Sequence, residues 1–149
     1  ETTERWNFMR QYIGTKIIYA ESATRGECYK GPDVLSSEKA DKPGYRVKYP
    51  DGYESWSPRA VFEEAYHPTN KMNFGLALDA LKANKRVVRK GWNGKDAWLR
   101  IVIPGGDNKE KDMGMENLPY IEMKTSENKL VPWLASQMDM LADDWQIVE

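Results

Sequence analysis

Asn73-Phe74-Gly75-Leu76-Ala77-Leu78-Asp79-Ala80-Leu81-Lys82-Ala83-Asn84, running on into Lys85-Arg86-Val87-Val88-Arg89-Lys90, is the stretch that decides the fold. Phe74, Ala77, Leu78 and Leu81 recur at i, i+3, i+4 and i+7, the spacing of one apolar helix face. Asn73 stands where a side-chain oxygen can cap the first turn. Asn84 can take the left-handed conformation that ends a helix. Residues 86–90 then read as a short strand. A helix with one apolar stripe needs a second layer to cover it, and the residues downstream supply one.

Residues 97–103 read as a strand stopped by Pro104-Gly105-Gly106. Residues 107–117 form a charged loop. Residues 120–124 and 129–133 make a hairpin around Ser126-Glu127-Asn128, residues 135–143 a short helical or irregular segment, and residues 145–148 a closing strand. The expectation for residues 72–149 is an antiparallel sheet with one packed N-terminal helix. Residues 1–67 read as a separate, small α+β module, and 68–71, next to Pro68, as a linker. That module is expected to hold a helix over 3–12, a strand over 16–20, a long polar loop over 24–44 and a strand over 45–49. A Pro50-Asp51-Gly52 turn follows, then a strand over 53–56. A last helix over 59–66 is capped by Ser57 with Pro58 in its first turn. The fold class is α+β, in two small domains.

Composition narrows the function. The 149 residues are 40% hydrophobic and 30% charged, with a net charge of -1. Proteins that bind polymeric nucleic acid usually carry a basic excess that replaces counterions, so none is expected as a partner. No stretch approaches the roughly 18 apolar residues of a membrane span. One cysteine, Cys28, allows no internal disulfide and fits a reducing cytoplasm. Cys28 and the single histidine, His67, cannot build a zinc site between them. There is no phosphate-binding glycine motif and no nucleophile elbow. No cofactor, metal or catalytic residue is expected.

Six Trp and eight Tyr against three Phe stand out, because Trp and Tyr join an apolar body to a polar handle. Trp92 lies in Gly91-Trp92-Asn93-Gly94-Lys95, after a run of basic residues that includes Arg89. Glycines there let backbone N–H groups approach an anion. That loop offers Trp92 little cover, so Trp92 reads either as an exposed plate or as a side chain folded back on the core. Trp133 precedes Ser136, Gln137 and Asp139. An aromatic plate beside amide and carboxylate groups suits a nucleobase, which stacks on the ring and is read at its edge. The alternative is that Trp133, Leu134, Met138 and Met140 are core. Asp143-Asp144 reads as a turn before the last strand. Trp6, Trp56, Trp98 and Trp145 read as packing residues.

Several ordered motifs carry a resemblance. They are Met72-Asn73-Phe74-Gly75, Arg89-Lys90-Gly91-Trp92-Asn93-Gly94-Lys95, Leu118-Pro119-Tyr120-Ile121 and Met123-Lys124-Thr125. Val131-Pro132-Trp133-Leu134-Ala135-Ser136-Gln137 and Asp139-Met140-Leu141-Ala142-Asp143-Asp144-Trp145 complete the set. On these, residues 72–149 resemble the second type of phage Thoeris anti-defence protein. The resemblance implies a homotetramer that binds cyclic ADP-ribose isomers made by bacterial TIR-domain enzymes, in the cytoplasm of the infected host. It implies that the signal is held intact, and that cyclic dinucleotides are a second ligand class in separate pockets. Carried onto this chain, Phe74, Trp92 and Trp133 would stack on adenine. Arg89, Asn93, Thr125, Gln137 and Asp139 would be polar contacts. Residues 1–67 lie outside that resemblance. A hydrolase of the same signals and a structural phage protein are the other functions weighed.

Overall fold

The computed structural model describes residues 14–29, 37–92, 96–105, 114 and 117–148. The chain divides into two compact units, Glu1–Tyr66 and His67–Glu149.

In the first unit, strands β1 (Tyr19–Thr24), β2 (Pro43–Lys48) and β3 (Glu54–Pro58) form one antiparallel sheet in the order β1-β2-β3. Between β1 and β2 lie two single-turn helices, α1 (Arg25–Cys28) and α2 (Ser37–Ala40). Helix α3 (Arg59–Ala65) follows β3. Gly52, at φ 86°, closes the β2–β3 turn with its N–H on the Tyr49 carbonyl, as glycine does best. Val47 is 1% exposed, and Phe62 of α3 stacks between Tyr45 and Tyr66 at ring distances of 4.2 and 5.0 Å. On the opposite face Trp56 lies across Gly44. A Cβ at Gly44 would come within 2.6 Å of the indole, so only glycine fits. The Trp56 Nε1 donates to the Ala23 carbonyl at 2.9 Å.

Three expectations for this unit change. The strand expected at 16–20 is Tyr19–Thr24, because its extent is fixed by pairing along all of β2, from Tyr19 opposite Lys48 to Thr24 opposite Pro43. Its residues 21–24 carry no strand pattern because it is an edge strand with much of both faces in water. The loop expected over 24–44 contains α1, α2 and the start of β2. There the Glu27 carboxylate accepts from the Thr24 N–H at 2.6 Å. Pro58 sits at the cap of α3, not within its first turn, and no side chain caps that helix. The helix expected over 3–12 lies outside the described residues, as does most of the 107–117 loop.

In the second unit, α4 (Phe74–Lys82) packs on a five-stranded antiparallel sheet of order β7-β6-β5-β4-β8. The strands are β4 (Arg86–Arg89), β5 (Trp98–Val102), β6 (Tyr120–Lys124), β7 (Leu130–Pro132) and β8 (Trp145–Val148). A single 3₁₀ turn, Lys90–Trp92, follows β4, and helix α5 (Gln137–Met140) precedes β8. The Asn73 side chain accepts from the Leu76 N–H at 2.9 Å, and Asn84 takes φ 59° just past the helix end. Ala77, Ala80 and Leu81 of α4 are buried with Met72, Val87, Leu99 and Trp145, so the helix stripe read from the sequence is the face that meets the sheet.

Residues 68–71 are not a free tether. The Thr69 carbonyl accepts from the Ile147 N–H at 2.8 Å, and Met72 exchanges backbone bonds with Trp145 at 2.8 and 3.0 Å. The segment thus pairs along the outer edge of β8. Among the described residues no helix is long and apolar enough to cross a membrane.

Candidate ligand site

Four aromatic rings from four separate segments meet at one end of the second unit. Trp145, the first residue of β8, is fully buried. Phe74 lies 5.5 Å from it, Trp92 5.5 Å and Trp133 6.0 Å, the two indoles edge-on to it. Trp133 in turn stands 6.1 Å from Phe74 and 6.3 Å from Trp92. Such tilted and edge-to-face contacts are the favoured geometry for aromatic pairs. Phe74, Trp92 and Trp133 are half-buried, so each keeps part of its surface toward solvent. Trp92 is therefore neither a free-standing plate nor core. The 3₁₀ turn after β4 lays it against Trp145 and Trp133.

Polar groups lie beside the rings. Arg89 donates from Nε to Asp144 Oδ1 and from Nη1 to Asp139 Oδ1, both at 2.9 Å. The second oxygen of Asp144 accepts from the Gly91 N–H at 3.3 Å. That of Asp139 accepts from the Ser136 N–H at 3.1 Å and Oγ at 2.7 Å, while Ser136 Oγ accepts from the Asp139 N–H at 3.1 Å. This reciprocal cap starts α5. The Asp139 carbonyl accepts from Trp145 Nε1 at 3.0 Å, which satisfies the buried indole. Burial pushes both carboxyls up. For Asp139 the hydrogen bonds from Ser136 and Arg89 outweigh burial, and for Asp144 those from Arg89 and Gly91 do, so both are held below the usual aspartate range. Bonds from Asp144 and Asp139 raise Arg89 further above its already high value.

Residues 72–148 match the family model described as the Thoeris anti-defense 2-like domain. The chain belongs to this family. Thoeris anti-defense 2 of Bacillus phage SP01 is 40% identical over 87 residues, which is 52% of this chain and 96% of the relative. The Thoeris anti-defense 2-like domain contains the whole aromatic group, and the match begins at the buried Met72.

Of the site residues read from the sequence, the fold gathers Phe74, Trp92, Trp133, Arg89 and Asp139 within one chain. Gln137 opens α5 and is exposed beside them in sequence. Thr125 is elsewhere. Its N–H donates to the Lys129 carbonyl at the turn of the β6–β7 hairpin, whereas Trp133 donates to Ile121 at the other end. Four strand residues separate those positions, about 13 Å. Asn93 lies outside the described residues. Two residues were missed: Trp145, read only as packing, is the hub of the rings, and Asp144, read as a turn, is a partner of Arg89. Asp144 follows Asp143 directly, and nothing in that dipeptide distinguishes the acid that turns inward.

Proposed function

We propose that this protein is a phage anti-defence protein that binds and sequesters host cyclic nucleotide immune signals without degrading them. The ligands are cyclic ADP-ribose isomers of TIR-domain Thoeris systems, with cyclic dinucleotides as a second class. The observation that carries this reading is the convergence of Phe74, Trp92 and Trp133, each partly open to solvent, on the buried Trp145. Base–aromatic stacking is worth roughly 1–3 kcal/mol per base. A sponge competes with the host effector by mass action, and nanomolar capture needs about 12 kcal/mol. Two stacked faces contribute about 2–6 kcal/mol of that, and the rest must come from edge and phosphate contacts in a closed pocket, such as Gln137 and, from a neighbouring chain, Thr125 or Asn93.

Binding without turnover is supported by the state of the acids at the site. Each carboxylate oxygen of Asp139 and Asp144 already accepts from Arg89, Ser136 or Gly91, which leaves neither acid free to exchange a proton with a substrate. Assembly as a homotetramer in the host cytoplasm belongs to the same proposal. Leu134, Met138 and Leu141, at 91%, 76% and 79% exposure around α5, offer an apolar rim beside the rings for subunit contact.

The test is to incubate the protein with cyclic ADP-ribose isomers, measure binding by calorimetry, and recover the ligand after heat denaturation. Unchanged ligand is expected. A new product on chromatography would make the protein a hydrolase. No heat with any isomer or cyclic dinucleotide, together with copurification with virions, would make it a structural protein. Trp92→Ala and Trp133→Ala should each weaken binding tenfold or more, since each removes a stacking face worth about 1.4 kcal/mol or above.

A further inference from the structure

We propose that Arg89, with Asp139 and Asp144, is a positioning group: a forked clamp that fixes the two tryptophan-bearing segments, and with them the orientation of Trp92 and Trp133 on which stacking of a base depends. This rests on the nucleotide-binding reading above, and it reassigns Arg89 and Asp139 from ligand contacts to residues that act through Trp92 and Trp133.

The connections run from one indole to the other. Trp92 ends the 3₁₀ turn Lys90–Trp92. Asp144 holds both residues ahead of it, accepting from the Lys90 N–H with its carbonyl at 3.0 Å and from the Gly91 N–H with its carboxylate at 3.3 Å. The other carboxylate oxygen receives Arg89 Nε at 2.9 Å. Arg89 Nη1 reaches Asp139 at 2.9 Å, and Asp139 fixes Ser136, three residues beyond Trp133. No backbone ladder joins the 90–92 turn to the 133–136 loop directly, since Trp92 follows β4 and Trp133 follows β7, with β6 and β5 between those strands. Beside the ring contacts of the two indoles with each other and with Trp145, the guanidinium is a polar tie between them.

The fork matters more than the charge. A guanidinium presents its donors in one rigid plane and can bridge two carboxylates at fixed geometry, whereas an ammonium is a single point donor. The Arg89 side chain is 19% exposed and those of its partners are 14% and 34% exposed. The three side chains together carry a net negative charge. An anionic phosphate finds no free cation in that group, so the site reads the flat face of a base and leaves the phosphates to groups outside it.

The experiment uses the full chain labelled with 5-fluorotryptophan, its ¹⁹F resonances assigned by Trp92→Phe and Trp133→Phe. Ligand-free spectra and affinity for a cyclic ADP-ribose isomer are measured for wild type, Arg89→Lys, Asp144→Asn and Ser136→Ala. For Arg89→Lys, both the Trp92 and Trp133 resonances should move or broaden, and affinity should fall about tenfold with an unchanged salt dependence. Asp144→Asn should disturb Trp92 more than Trp133, and Ser136→Ala the reverse. Ser136→Ala removes no charged side chain, so it stays informative if Arg89→Lys fails to fold. Wild-type resonances in all three variants would overturn the clamp, as would an Arg89→Lys protein of wild-type affinity. Affinity alone is also measured for Arg89→Ala, and a reduced salt dependence there that lysine restores would overturn the clamp in favour of direct phosphate contact. The ligand-free spectra need no ligand, so they test the clamp even if the wild type binds no nucleotide, an outcome that would defeat the proposed function alone.

Discussion

Trp56 in the first unit and Trp145 in the second solve one problem in two ways. Each indole donates Nε1 to a backbone carbonyl, Trp56 to Ala23 at 2.9 Å and Trp145 to Asp139 at 3.0 Å. Trp56 is half-buried and serves as the cover of its own sheet, pressed over Gly44. Trp145 is fully buried beneath three further rings. The difference lies in what else fills each core. Val47 is the buried hydrophobic side chain among the described residues of the first unit, so Tyr45, Phe62, Tyr66 and Trp56 are used to close the fold. The second unit buries Met72, Ala77, Ala80, Leu81, Val87 and Leu99 as well. With that apolar layer beneath them, Phe74, Trp92 and Trp133 can stay partly open. A site made of aromatic faces needs a core that does not require all of them.

The strongest way to break this contrast is Trp145→Ala. Losing a fully buried indole should cost roughly 3–5 kcal/mol, abolish the second unit's cooperative denaturant transition and take ligand binding with it. If binding survives, Trp145 is not the floor of the site. Gly44→Ala tests the other unit. Its Cβ would overlap the Trp56 ring, and overpacking of this kind costs about 1–3 kcal/mol. The first unit's unfolding midpoint should drop while calorimetric affinity stays at the wild-type value. A parallel loss of affinity would place ligand contacts in the first unit.

Asn73→Ala sharpens the comparison more gently. Removing the cap on Leu76 should cost about 1 kcal/mol, seen as a lower midpoint for the second unit only. Acid should have the smallest effect. Asp139 and Asp144 have lowered pKa values in the folded protein. Their stabilising contribution is complete above the ordinary aspartate value of about 4 and is lost as pH falls through the lower folded values. Between pH 5 and pH 2 the second unit should lose stability, and Asp144→Asn should flatten part of that slope. An unchanged slope in the variant would remove Asp144 from the coupled group.

Much of the second unit was legible from local pattern. The Asn73 cap, the α4 stripe, the hairpin at 126–128 and the closing strand all rest on contacts between near neighbours or on side-chain period. Less of the first unit was. β1 carries Glu21, Ser22 and Thr24, and its limits come from pairing with β2 rather than from its own residues. α1 is hidden for a different reason: it is a single turn capped locally by Glu27 on Thr24, too short to show an apolar stripe.

The sequence by itself determined the α+β class, the helix-on-sheet plan of the second unit and the residue types that could face a base, because period and capping are local physics. Its ordered motifs also carried the family. Only the tertiary structure decided that Trp92 and Trp133 are half-buried around Trp145, and that Arg89 meets Asp139 and Asp144 across fifty or more residues. Pairing of β4 with β8 sets Arg89 opposite Trp145, and the segment that leaves β7, three strands away from β4, crosses back to bring Trp133 and Asp139 to the same place. No spacing along the chain encodes that meeting, so the sequence leaves Trp92 and Trp133 open between exposed plate and core, and the tertiary contacts make them the partly open edge of a shared aromatic floor.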